Sequence, residues 1–315
     1  MDLSICILTH HQPALLPQCI ECCFAEMKRS GITGEVILID NASTDGSPQR
    51  AVARWPELRV LRNESNLSFA AANNGAIRAS EGRYVLILND DAMLQEGSLA
   101  KMLDKMESDG TMGIVGPKLL NLDGTPQADF TNLRFPTLRY IVTDVLRLNR
   151  LFAKHPVTRD LFTLQRDPDR SDEAEHLAAA CFLARREALD QVGMFDEGFQ
   201  FWYEDTDLCC RIKRAGWRLF YLEDARVVHH GSVSTVQWAA SKRTPIFYKS
   251  LTRYFRKRFS FATCLALRIL LSAGLIVKAS VACLLHLFRS GSNPKYQSYI
   301  SASFKALRVL VTEWN

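Results

Sequence analysis

Two acidic clusters stand more than a hundred residues apart in this 315-residue chain. Asn89-Asp90-Asp91 closes an apolar run, and Glu204, Asp205 and Asp207 follow the aromatic stretch 199–203. A carboxylate at the end of a buried strand suits a hard divalent cation, which takes oxygen ligands. A second set beside aromatic rings suits a general base acting on a hydroxyl. Together the two clusters point to metal-assisted group transfer.

Those carboxylates need elements that bring them together. Residues 3–8 and 36–39 are short apolar runs, 14–28 and 69–79 are helix-compatible, 58–61 is a further strand, and 84–88 leads straight into Asn89. This alternation predicts a parallel sheet, whose ligands bind at the carboxyl ends of its strands. Asp40 and Asp91 both fall at such ends. Segment 40–47, Asp-Asn-Ala-Ser-Thr-Asp-Gly-Ser, is rich in capping and turn residues. It reads either as a plain loop entering a helix at Ser47 or Pro48, or as a nucleotide pocket in which Asp40 accepts a hydrogen bond from a base N–H.

A content of 47% hydrophobic and 23% charged residues is that of a globular chain and excludes a disordered one. Most of the net charge of +5 sits in one stretch, where Lys242, Arg243, Lys249, Arg253, Arg256, Lys257 and Arg258 follow one another with no acid between them. That localised charge predicts an anionic surface partner. The stretch lacks the interleaved base-stacking pattern of a nucleic-acid module, so no nucleic-acid partner is expected. The N-terminus carries no secretory pattern, which predicts a cytosolic catalytic part. Cys19-x-x-Cys22 has the spacing of half a metal site, but no matching second pair follows, and the cysteines are expected to be buried or half-buried free thiols.

Several stretches carry a family resemblance, in order along the chain. They are Ile5, Leu8 and Thr9; the run 35–47 through Asp40-Asn41; Leu88-Asn89-Asp90-Asp91; and Gly193-x-Phe195-Asp196-Glu197 through Glu204-Asp205-x-Asp207-Leu208. Over residues 3–235 the chain resembles family 2 inverting glycosyltransferases, and more narrowly the bacterial rhamnosyltransferases that extend lipid-linked saccharides. The resemblance implies an α/β GT-A fold, in which a nucleotide-sugar-binding half (1–125) and an acceptor-binding half (126–240) merge around a mostly parallel sheet. A basic, helical, membrane-associating tail (241–315) follows. It also implies a nucleoside diphosphate sugar donor, with dTDP-rhamnose preferred and a UDP-hexose as the alternative, and Mg2+ or Mn2+ as cofactor.

The same resemblance assigns roles. Asp40 contacts the base, with Thr9 in the same pocket and Asn66 and Asn74 at polar positions before the metal motif. Asn89 and Asp90 precede Asp91, the metal ligand, and His229 reaches the metal or the diphosphate. Asp205 is the base, and Trp202 and Glu204 lie on the acceptor side. Ser232 and Arg243 are further diphosphate contacts. Asp207 stays open between catalysis and a helix-start acid, and Trp202 between sugar stacking and plain packing. Two departures from the family pattern stand out. Asp90 replaces a middle proline, and Ala179 and Ala180 occupy positions where glycine is common, which bears on close backbone approach. A non-catalytic sugar-nucleotide-binding protein would keep Asp40 without needing both Asp91 and Asp205.

Residues 149–175 are polar and charge-dense, an exposed linker or a lid near the acceptor side. Residues 259–288 are strongly apolar but interrupted by Arg268 and Lys278, which disfavours a simple transmembrane span. At about 100° per residue, Ser260, Arg268, Ser272, Lys278, His286 and Arg289 share one arc and leave the opposite face apolar. The expectation is a helix lying in the interface of the cytoplasmic face of the plasma membrane, drawn to anionic lipid by the basic stretch. A tail packed on the catalytic part or on a second subunit is the alternative. A peripheral enzyme would sit close to a saccharide acceptor carried on a polyprenyl diphosphate.

Overall fold

The computed structural model describes residues 1–127, 130, 134–145, 167–231, 238–288 and 294–313. Most of the 149–175 stretch, Ser232 and Arg289 lie outside the described residues. Strands β1 (Leu3–Thr9), β2 (Gly34–Asp40), β3 (Arg59–Arg62) and β4 (Tyr84–Asn89) alternate with helices α1 (Leu16–Ser30), α2 (Ser47–Arg54) and α3 (Phe69–Ala79). The four strands lie side by side in the order β3-β2-β1-β4, all parallel, as their alternation with helices predicts. Successive residues of each strand point to opposite faces, and both faces are covered. Ile5, Leu38 and Leu86 pack with Leu16 and Ile20 of α1, whereas Cys6, Ile37 and Ile87 pack with Ala76 and Ile77 of α3. Register sets Thr9 opposite Asp40 and Leu8 opposite Asn89, so three strand ends share one edge.

The rest of the sheet is mixed. It consists of β5 (Ala92–Leu94), β6 (Met112–Leu120), β7 (Asp172–Glu173), β8 (Cys181–Arg185) and β9 (Arg218–His229). β8 runs antiparallel to β4 with Cys181 opposite Leu88, which brings the start of β8 to the end of β4. The end of β9 pairs antiparallel with β5, Ala92 facing His229. Helix α4 (Ser98–Ser108) follows β5, and its first turn is fixed by a buried acid on α1. Glu26 accepts from the N–H groups of Gly97 (3.1 Å) and Leu99 (3.3 Å), a carboxylate on the positive end of a helix dipole. All nine cysteines are free, and Cys19 and Cys23 face inward from α1.

The chain divides into two compact units. One comprises Met1–Phe135, Gln165–Gly198 and Glu204–Gly231, and holds the sheet together with α6 (Arg186–Val192), which follows α5 (Leu138–Val145) along the chain, and α7 (Glu204–Arg214). The other comprises Pro136–Leu164, Phe199–Tyr203 and Ser232–Asn315, with α5, α8 (Ala240–Arg258), α9 (Phe261–Phe288) and α10 (Pro294–Thr312). The second unit has its own core of Leu251, Phe255, Leu267, Leu271, Leu275 and Leu310.

The tail departs from its expected polar arc at Arg268. That side chain is buried, and its guanidinium donates to the carbonyls of Leu310 and Glu313 at the end of α10. The unpaired carbonyls of a helix C-terminus are a natural partner for a cation, so this charge serves packing and does not mark a wet face. The outward face of α9 carries Ile269, Ile276, Val277, Val281 and Leu284, all about half exposed or more. Even with Arg268 and Lys278 in it, the stretch Phe261–His286 is long and apolar enough to cross a membrane.

Candidate active site

The pocket end of β2 is built from asparagines. Asn41 Oδ1 accepts from Asn63 Nδ2 (3.0 Å) and the Leu67 N–H (2.9 Å), while its Nδ2 donates to Asn66 Oδ1 (2.8 Å) and the Leu67 carbonyl (3.0 Å). Asn66 is thereby brought beside Asp40. One oxygen of Asp40 accepts from the Ser43 N–H at 2.8 Å. The other is buried without a hydrogen bond, its one charged neighbour among the described residues being Arg62 Nε, 3.6 Å away. Two non-glycine residues here adopt left-handed backbone, His11 (φ 56°) and Ala42 (φ 63°). Such strain costs about 1–3 kcal/mol each and persists only where surroundings impose it. The His11 N–H donates to Ser43 Oγ, and the imidazoles of His10 and His11 bond to the Asn41 carbonyl and Thr44 Oγ1. These contacts tie the loop after β1 to the loop after β2.

At the end of β4 the Asn89 N–H donates to the Ala180 carbonyl at 3.0 Å. Asp90 is pushed up to about 7 by burial; the buried Thr9 hydroxyl and the His10 N–H oppose the shift, and the charge of Asp91 adds to it. Asp91 meets His229, with Oδ1 and Nε2 3.3 Å apart, and its carbonyl accepts from the His230 N–H at 3.0 Å. Gln127 fixes the histidine. Its amide nitrogen donates to the His229 carbonyl (2.5 Å), which orients Oε1 toward His229 Nδ1 (2.8 Å). A carbonyl can only accept, so Nδ1 carries the proton and Nε2 presents its lone pair. Nε2 is buried and makes no hydrogen bond. An oriented imidazole with an orphaned lone pair beside a carboxylate fits a divalent cation. Among the described residues no third ligand-type side chain joins the pair, which leaves the other positions to phosphate oxygens and water, as magnesium and manganese sites commonly do.

Asn74 lies apart from this group, against the expectation for it. Its Nδ2 donates to the Phe195 carbonyl and Glu197 Oε1 (both 2.9 Å), and its Oδ1 accepts from the Phe195 N–H (3.0 Å). Both amide protons are committed to clamping α3 to the segment before α7, so none remains for a donor sugar.

Asp205 sits in the first turn of α7. Oδ1 accepts from the Thr206 N–H (2.7 Å) and lies 3.3 Å from His176 Nε2, and Oδ2 accepts from the Ala179 N–H (3.3 Å). Burial pushes its carboxyl up, but His176 and the two N–H groups outweigh that and hold it below the ordinary value. Its neighbour Glu204 is pushed up to about 8 by burial and the charge of Asp205, and its Oε2 is buried without a partner. The Ala179-Ala180 segment, with alanines in place of glycines, supplies both the N–H that meets Asp205 and the carbonyl that meets Asn89. Asp207 pairs with Arg211 at 2.7 Å, whose guanidinium also reaches the Val192 and Met194 carbonyls, a helix-start role.

In the second unit, Trp202 and Tyr203 both take φ 65°. Trp202 packs edge-on against Phe201 (4.9 Å), Phe247 (5.9 Å) and Trp238 (6.3 Å), half-buried in an aromatic cluster. Arg243 is exposed on α8. Reasoning from sequence missed His10, His11, Gln127 and His176. Only the histidines after Thr9 carried a signal, polar residues at a strand end.

Comparison with known proteins places this geometry. The model of glycosyl transferase family 2 matches residues 4–193. Over 222 residues the chain is 32% identical to an N-acetylglucosaminyl-diphospho-decaprenol L-rhamnosyltransferase of Mycobacterium tuberculosis, covering 65% of this chain and 69% of that protein. The mannosyltransferase PcManGT of Pyrobaculum calidifontis, solved with GDP-Man and Mn2+, superposes with a TM-score of 0.58 at 16% identity over 100% of this chain and 88% of its own. GalNAc-T7, solved with UDP, GalNAc and Mn2+, gives 0.55 at 16% identity over 82% of this chain and 51% of its own. The fold is GT-A-like.

Proposed function

We propose that this chain, which belongs to glycosyltransferase family 2, is an inverting transferase that moves a sugar from a nucleoside diphosphate to a hydroxyl of a lipid-linked saccharide. The reading rests on one observation. Asp40, the Asp91–His229 pair and Asp205 gather at a single sheet edge, joined through the Ala179-Ala180 segment and Asn89. Asp40 would offer a base N–H its oxygen that makes no hydrogen bond, on displacement of Arg62, with Asn66 and Thr9 assigned to the same pocket. A divalent cation, Mg2+ or Mn2+, held by Asp91 and His229 would offset charge building on the departing diphosphate. Asp205 takes the proton of the acceptor hydroxyl as its oxygen bonds to the anomeric carbon. The bond from that carbon to the phosphate oxygen breaks on the opposite face, its electron pair leaving with the diphosphate. No covalent sugar intermediate is needed, so one base suffices. Glu204, an acid that holds its proton at neutral pH, serves the acceptor.

Rhamnose from dTDP-rhamnose is the preferred donor, because the mycobacterial relative is a rhamnosyltransferase acting on a diphospho-decaprenol saccharide. The tail fits a peripheral enzyme on the cytoplasmic face. The outward apolar face of α9 would enter the interface while the exposed cations Lys242, Arg243, Arg256 and Lys257 of α8 meet anionic headgroups. The test is mass-spectrometric detection of product, with Mn2+ and Mg2+, across dTDP-rhamnose, UDP-hexoses and GDP-mannose and a polyprenyl-diphosphate-linked N-acetylglucosamine. Extension of the acceptor by a rhamnosyl mass is expected. A product with a UDP-hexose alone overturns the donor assignment, and no product with any donor overturns the reaction.

A further inference from the structure

We propose that His176 is the positioning residue of Asp205, holding the base anionic and aimed at the acceptor hydroxyl. The inference rests on the reading of Asp205 as the base. His176 is buried in the segment that leads from β7 into β8, and its Nε2 lies 3.3 Å from both Asp205 Oδ1 and Thr206 Oγ1. That segment is itself pinned. The Ala174 N–H donates to the Leu219 carbonyl (2.8 Å), and the Cys209 thiol reaches the Leu177 carbonyl (3.6 Å). Leu177 lies where a Cβ on Gly116 would stand 2.7 Å from its Cδ2, so β6 is open at that point to let the segment approach.

The carboxylate is therefore fastened from behind by one imidazole, the Thr206 hydroxyl (3.3 Å) and two backbone N–H groups, while about a fifth of its side chain stays accessible for a substrate. The titratable groups facing it are His176 from this segment, and Glu204 and Cys209 on its own helix. Glu204 holds its proton near neutrality, so it does not cancel the effect of the imidazole. An ion-pair partner within hydrogen-bonding reach lowers a carboxyl by about one to three pH units. When protonated, His176 is the side chain in the cluster that supplies such a partner. A rotating carboxylate would also lose alignment with the hydroxyl it must deprotonate, and misplacement by about 1 Å can cost on the order of a hundredfold.

The experiment compares wild type, His176→Leu, His176→Gln and Asp205→Asn by the pH profile of kcat/KM, with binding of dTDP and Mn2+ measured by calorimetry as the check on folding. His176→Leu is expected to move the acidic limb up by about one unit or more. Its kcat should fall at least about tenfold at neutral pH, with unchanged dTDP affinity. His176→Gln keeps an N–H donor and should recover part of kcat with an intermediate limb. A wild-type limb in either His176 variant overturns the proposal. Wild-type turnover in Asp205→Asn overturns the base assignment instead, and this proposal with it. An inactive Asp205→Asn beside an unshifted His176→Leu sinks the proposal alone.

Discussion

Replacing Gln127 by leucine removes both hydrogen bonds that hold His229, the one to its carbonyl at 2.5 Å and the one from Nδ1 at 2.8 Å. Leucine keeps the bulk of the buried side chain, so the cavity is small and the loss is polar. Two consequences follow, of different size. Leaving a buried carbonyl and a ring nitrogen unpartnered costs about 1–3 kcal/mol of stability each. The imidazole also loses the contact that selects its tautomer. It is then free to place its proton on Nε2, toward Asp91 Oδ1 at 3.3 Å, where it donates to the carboxylate and offers no lone pair to a cation. Groups that orient a metal-bound histidine are typically worth about 10- to 100-fold in metal affinity, or roughly 1.4–2.8 kcal/mol. Electron paramagnetic resonance of free Mn2+, titrated with protein and dTDP, reads that affinity without any turnover. The expected result is a Kd raised by at least about tenfold, with the circular dichroism of a folded protein. A folded Gln127→Leu protein that binds Mn2+ as wild type does would refute both the tautomer argument and the assignment of His229 to the metal.

Asp205→Asn should lower turnover by on the order of a hundredfold or more and leave dTDP binding intact, whereas Asp91→Asn should weaken Mn2+-dependent dTDP binding. Wild-type rates in the first or wild-type binding in the second contradict the roles given. Glu204 carries a pH signature. Its folded value of about 8 lies above the ordinary 4.5, so between those values the folded chain holds a proton the unfolded chain has released, and stability must fall as pH rises through that window. Glu204→Gln should flatten this decline in thermal melts from pH 5 to 8.5, and parallel curves for the two proteins would remove the buried acid from the account. Ile269→Asp combined with Val277→Asp should cut co-sedimentation with phosphatidylglycerol vesicles at least about tenfold, because each exposed apolar side chain is worth about 1.5–3 kcal/mol on burial. Undiminished sedimentation would move the membrane contact elsewhere.

The sheet was legible because its signals are local. Apolar runs of strand length alternating with helical periodicity suffice to order β1 to β4, and a strand that must end at a polar residue advertises where Asp40 and Asp91 stand. What escaped was contact between residues distant along the chain. Asn74 sits on α3 at a position where a polar group reads equally as a ligand contact or as a helix cap or surface hydrogen bond, and only the structure shows its pairing with Phe195, 121 residues away. Arg268 looked like one member of a wet stripe because periodicity counts a charge as facing water. The carbonyls at the end of α10 offered it a buried partner that periodicity does not see. His176 and Gln127 stand alone in sequence. Each acts through one neighbour fixed by tertiary packing, and no spacing rule reaches that far.

Under the proposed inverting reaction, the base and the leaving-group site must stand on opposite sides of one carbon at a fixed separation, and one short segment links the residues assigned to them. Because β8 runs antiparallel to β4, the residues just before it, Ala179 and Ala180, lie at the end of β4 and also reach α7. Ala180 accepts from Asn89, two residues before Asp91, and Ala179 donates to the carboxylate of Asp205. Adjacent backbone amides thus hold the two halves of the chemistry, with no side-chain torsion in the Ala179-Ala180 link. Alanine serves here because the link uses N–H and carbonyl groups alone and its methyls are buried. A larger residue at either position would push the two carboxylates apart without removing any side chain assigned to the reaction.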